Sequence, residues 1–125
     1  MFSETMAKIM AVEDRPETLS LIEKILTRAG HKFVGCSSGE ECLEIYEREK
    51  PDLILLDILL PGMDGYEVFE KIKQKTPEQR IAFLSALDIS PRTQVRLQRY
   101  GRPVYINKPF DPDELVEKVG ELLKG

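Results

Sequence analysis

The chain has 125 residues, 42% of them apolar and 32% charged, and a net charge of −4 at pH 7. That length suits one domain able to bury roughly two-thirds of its unfolded surface without staples, and a pI near 5.1 argues against a generic binder of nucleic acid or anionic membrane. Cys36 and Cys42 are too few and wrongly spaced for a zinc site or a CxxC pair, MFSETMAK has no apolar signal-peptide core, and no apolar run approaches the ~18 residues of a membrane span. These features imply a cytoplasmic protein whose two thiols are reduced core filler.

Five apolar runs alternate with five helical patterns. The first run is KIMAV, Lys8 to Val12. PETLSLIEKILTRAG follows, with Pro16 at a helix start, Gly30 at its end, and Leu19, Ile22, Leu26 and Ala29 on one face. His31, the only histidine, comes after that glycine and reads as a solvated turn residue. The second run is KFVGCSS, Lys32 to Ser38, with Ser38 as N-cap of GEECLEIYEREK; Cys42, Leu43 and Tyr46 form its apolar stripe.

The third run, DLILLDI (Asp52 to Ile58), is continuously apolar around Asp57, as befits a central parallel strand covered on both faces. PGMDG then turns the chain, and Asp64 caps GYEVFEKIKQKT, whose Val68, Phe69 and Ile72 point inward. RIAFLSAL (Arg80 to Leu87) is the fourth run. Ser90-Pro91 opens a weaker helix through Tyr100, closed by Gly101. VYINK (Val104 to Lys108) is the fifth run. Last comes DPDELVEKVGELLKG, capped by Asp111 with Pro112 at its first position, and with Leu115, Val116, Val119, Leu122 and Leu123 inward.

This alternation predicts an α/β fold of (βα)5 type, a doubly wound parallel five-stranded sheet. The five-unit version implies strand order 2-1-3-4-5, flavodoxin-like, with the site at the carboxyl ends of the strands. Those ends carry Glu13 and Asp14, Asp57, Ser85 and Lys108. Carboxylates gathered in one crevice repel one another, and a divalent cation with oxygen ligands, Mg²⁺ above all, is the natural remedy. Lys108 adds a point charge suited to phosphate, Ser85 a hydroxyl donor, and a carboxylate can itself accept a phosphoryl group.

With these residues in view, the chain resembles the receiver domain of bacterial two-component response regulators. The blocks VED (Val12 to Asp14), DILLPGMDG (Asp57 to Gly65), LSA (Leu84 to Ala86) and KPF (Lys108 to Phe110) carry the likeness. Each is weak alone; four in order at their strand ends are specific. The resemblance implies a receiver domain over residues 8–125 after a tail of residues 1–7. It implies that Asp57 accepts phosphate from a sensor histidine kinase or phosphotransfer protein. Glu13, Asp14, Asp57 and the Leu59 backbone carbonyl would hold Mg²⁺. Lys108 would pair with the phosphoryl group, Ser85 would move to bond it, Tyr105 would change rotamer, and the Lys108–Pro109 bond would be cis. The output would pass through the surface of the fourth helix, fifth strand and fifth helix to an effector or output domain, in a monomer or a phosphorylation-dependent dimer. Such a module catalyses only its own phosphorylation and dephosphorylation, contacts no nucleic acid or membrane itself, and is either a stand-alone regulator or a segment of a longer protein.

Bland readings stand beside these. A strand-end Asp is often a helix cap, and Asp14 has the first helix to cap; four motifs in register outweigh that. A haloacid-dehalogenase-type hydrolase would need DxD after the first strand, and a nucleotide site a glycine-rich loop there; EDRPET has neither. A phosphate-independent interaction module on the same fold is the remaining alternative, and the intact acidic set argues against it. Four departures from the family pattern carry information. Arg15 follows the acidic pair, either adding positive potential at the mouth or pointing into solvent. Leu59 and Leu87 lie two residues beyond Asp57 and Ser85 and cannot orient an attacking water, which implies slow autodephosphorylation. Arg102-Pro103 replaces small and polar residues. Arg92, Arg96 and Arg99 share one helical face, by default a solvated one; with Arg102 they form a basic cluster that would otherwise suit an acidic partner.

Overall fold

The computed structural model describes residues 7–85, 90–101 and 103–124. Leu87, Arg102 and the tail before residue 7 lie outside the described residues. In chain order the elements are β1 (Lys8–Val12), α1 (Pro16–Arg28), β2 (Lys32–Cys36), α2 (Gly39–Glu49), β3 (Leu53–Asp57), α3 (Gly65–Lys75), β4 (Ile81–Ser85), α4 (Pro91–Leu97), a 3₁₀ turn (Gln98–Tyr100), β5 (Val104–Asn107) and α5 (Pro112–Lys124). The strands form one parallel sheet in the order β2-β1-β3-β4-β5, as the alternation predicts.

Strand alternation sorts the core into two layers. Met10, Val12, Ile54, Leu56 and Phe83 face α2, α3 and α4, where Cys42, Tyr46, Val68, Phe69, Ile72 and Leu97 meet them. Ile9, Ala11, Leu53, Leu55, Ala82 and Leu84 face α1 and α5, packing on Ile22, Ile25, Leu26, Leu115 and Val119. Every residue of β3 and β4 is buried, so the apolar run around Asp57 is the sheet's covered centre. Cys36 and Cys42 are free and fully buried in the first layer. The neighbouring Cys42 thiol and then burial push the Cys36 thiol far up, as inert core filler requires.

The caps follow the local sequence. Ser38, Asp64 and Ser90 each accept the amide proton of the residue three ahead. Gly30, at φ 98°, ends α1 in a Schellman turn: its amide donates to Thr27 O (3.1 Å) and that of His31 to Leu26 O (3.1 Å). This turn draws His31 inward, so the residue read as solvated is in fact 9% exposed. Asp14 does not cap α1 either; Arg15 occupies that position and makes no side-chain cap. No helix among the described residues is long and apolar enough to cross a membrane.

Gly65 fixes the return of the chain after β3. Its amide donates to Ile58 O (2.9 Å), and a Cβ there would lie 2.3 Å from Asp57 O and 2.8 Å from Ile58 Cα. Gly120, inside α5, has open space where a Cβ would stand. Gly65→Ala should therefore destabilise the protein by about 1–3 kcal/mol, whereas Gly120→Ala should stabilise it by about 0.5–1 kcal/mol, as read from urea midpoints.

Candidate functional site

The sheet register assembles the site. Val12 lies beside Leu56, Asp57 beside Leu84, and Ser85 beside Asn107, so the residues that end each strand arrive at one edge. Glu13 continues β1 with its amide on Cys36 O (3.0 Å), and Lys108 continues β5 with its amide on Ser85 O (2.9 Å). The Lys108–Pro109 bond is cis.

Lys108 is the hub. Its Nζ donates to Glu13 Oε1 at 2.7 Å and to Asp57 Oδ2 at 3.0 Å. The other oxygens are held by backbone: Glu13 Oε2 accepts from the Arg15 amide (3.1 Å) and Asp57 Oδ1 from the Leu59 amide (3.1 Å). Glu13 is wholly buried and Asp57 6% exposed. Burial pushes the Glu13 carboxyl up, against the lowering effect of Lys108 and the Arg15 amide. Burial alone would lower Lys108, but Glu13 and Asp57 outweigh it and the ammonium is held above its ordinary range.

Asp14 is exposed beside this pair, and carboxylate oxygens of Glu13, Asp14 and Asp57 lie within 4.8 Å of one another. Three carboxylates against one ammonium leave surplus negative charge, and the donors are all oxygen. That set suits a hard divalent cation. Asp14, Asp57 and Lys108 line a cleft of about 520 Å³ together with Ser85, Leu59, Phe110, Arg15, Thr18 and Leu21.

A family profile described as the response regulator receiver domain matches residues 9–120. The chain belongs to the response regulator receiver domain family. It is 37% identical over 117 residues to the alkaline phosphatase synthesis transcriptional regulatory protein PhoP of Bacillus subtilis, covering 94% of this chain and 48% of that one. It is 33% identical to the transcriptional regulatory protein AfsQ1 of Streptomyces coelicolor, covering 95% of this chain and 52% of that one. The chain thus spans about half the length of the curated relatives it matches. Among solved structures, a CheY-like receiver domain protein from Methanospirillum hungatei superposes with a TM-score of 0.86 at 30% identity, covering 95% and 94% of the two chains. The BeF3-activated receiver domain of Klebsiella pneumoniae RstA does so at 0.82 with 34% identity, covering 94% and 99%.

The structure of this receiver domain brings Glu13, Asp14, Asp57, Ser85 and Lys108 together and leaves Tyr105 behind them. The Tyr105 ring stacks on Phe83 (5.5 Å, 21°), and its buried hydroxyl has no hydrogen-bond partner among the described residues. The basic stripe is solvated, with Arg92, Arg96 and Arg99 all exposed, and Arg96 also pairs with Glu70 of α3. The sequence reading missed Thr18 and Leu21 as cleft residues. Leu21, 48% exposed and off the apolar stripe of α1, is the signal that was there to find.

Lys108→Met leaves Glu13 buried without its cation. In metal-free buffer this should cost about 2–3 kcal/mol of stability, seen as a lower urea midpoint at unchanged slope.

Proposed function

We propose that this receiver domain is a phosphorylation-controlled switch in which Asp57 accepts a phosphoryl group. The observation that carries this is the Asp57 carboxylate, fixed by the Leu59 amide and Lys108 and open to a cleft rather than sealed in the core. Glu13, Asp14, Asp57 and the Leu59 carbonyl would hold Mg²⁺. Bound there, the ion would neutralise the carboxylates and the phosphoryl oxygens so that two anions can meet. Lys108, already spanning Glu13 and Asp57, is placed to transfer its contact to the phosphoryl group. Ser85, 5% exposed at the cleft floor, would donate its hydroxyl to a phosphoryl oxygen.

Phosphate would come from a sensor histidine kinase or a phosphotransfer protein, and the signal would leave through the α4–β5–α5 surface toward an effector or output domain. Tyr105 supports that route: its buried hydroxyl has no partner among the described residues, which costs about 1–3 kcal/mol, and its inward rotamer would be the one that a change at Ser85 displaces. The regulators it resembles are named as transcriptional, which supports an output that acts on transcription through a part other than this domain. Exposed Arg92 and Arg99 near this surface favour an acidic partner there.

Incubation with phosphoramidate and Mg²⁺ should add one phosphoryl group by intact mass, and Asp57→Asn or chelation should abolish it. No gain in the wild type would favour the phosphate-independent interaction module instead. The side chain of Leu59 stands 62% exposed at the cleft and offers no group to orient water. The phospho-form should accordingly persist for many minutes, and Leu59→Asn should shorten it several-fold; a wild-type half-life of seconds would contradict this.

A further inference from the structure

We infer that Arg15 is a substrate-contacting residue that grips the leaving carboxylate of an acyl phosphate donor. The inference rests on the reading of Asp57 as phosphoacceptor and adds a donor preference to it.

The cleft of about 520 Å³ is far larger than a phosphoryl group, so it has room for what the phosphoryl group leaves behind. Asp57 and Ser85 sit at its floor, 6% and 5% exposed, while Arg15 and Leu59 are exposed at its rim. In-line displacement puts the leaving group opposite the attacking Asp57 oxygen, toward the opening. Among the charged residues lining the cleft, Asp14, Asp57 and Lys108 already have tasks; Arg15 has none.

Its backbone is tied down, with the amide on Glu13 Oε2 and an extended conformation at the start of α1. Its guanidinium, by contrast, makes no ion pair or hydrogen bond among the described residues, although Asp14 is its chain neighbour. A cation anchored at the mouth of an acidic cleft and left unpaired is available to an incoming anion. The planar fork matches a carboxylate bidentately, as an ammonium does not. The side chains of Leu21 and Leu59, which line the same cleft, cannot hydrogen-bond and do not compete.

In transfer from an acyl phosphate, an Asp57 oxygen forms the new P–O bond. The anhydride P–O bond breaks, and its electron pair leaves with the carboxylate; no proton need move. Negative charge grows on that carboxylate in the transition state, so the Arg15 contact strengthens as the bond breaks. In transfer from phosphoramidate the P–N bond breaks and neutral ammonia departs with the electron pair, leaving the fork nothing to grip.

The test is the ratio of phosphorylation rates with acetyl phosphate and with phosphoramidate, followed by intact mass in saturating Mg²⁺. Arg15→Gln should lower that ratio about fivefold, the worth of one solvated charge pair, and Arg15→Lys should recover part of it. A ratio unchanged in Arg15→Gln, including one in which both rates fall together, would overturn the assignment. So would a wild type labelled by phosphoramidate but not by acetyl phosphate, with the Asp57 reading left standing. A wild type labelled by neither donor would remove the Asp57 reading itself, and this inference with it.

Discussion

One ammonium holds the edge of this sheet together. Lys108 reaches Glu13, 95 residues away in the chain, and Asp57, 51 residues away. Buried carboxylates are tolerable only when paired, and Glu13 is wholly buried. The ion pairs therefore tie β1, β3 and β5 at the end where the strands converge. They also leave the charge unbalanced, since Asp14 adds a third carboxylate within reach. Three carboxylates with one ammonium form a set of oxygen donors that suits a hard divalent cation.

The same arrangement links the site to the rest of the fold. Asp57 is fixed by the Leu59 amide, and the loop from Leu59 is returned into α3 by Gly65, whose amide sits on Ile58 O. Ser85 ends β4 beside Asn107 of β5, two residues beyond Tyr105. Tyr105 stacks on Phe83, which in turn touches Phe69 and Tyr66 of α3. Tyr105 and Phe83 thus join β5 and β4 to α3 through packed aromatic rings. The buried Tyr105 hydroxyl has no hydrogen-bond partner among the described residues.

Much of this was legible in the sequence. The continuous apolar run of β3 announced a covered strand, and Ser38, Asp64, Ser90 and Pro16 marked helix starts correctly, because these signals are local. The strand-end polar residues were legible through topology: once the order is 2-1-3-4-5, their convergence follows. What escaped was tertiary. His31 looks solvated after a glycine, and only the Schellman turn shows it drawn in. Asp14 has the chemistry of a cap, yet Arg15 takes that position. Arg96 lies on a solvated stripe, and only the fold shows that α3 presents Glu70 to it. Gly65 reads as a turn residue, whereas its need is space against the Asp57 carbonyl.

The most direct test of the central claim is to locate the phosphoryl group chemically. After treatment with phosphoramidate and Mg²⁺, peptide mapping should place the added mass on the segment containing Asp57, and hydroxylamine should remove it, as an acyl phosphate requires. A hydroxylamine-stable adduct on Ser85, or on any residue other than Asp57, would contradict the account.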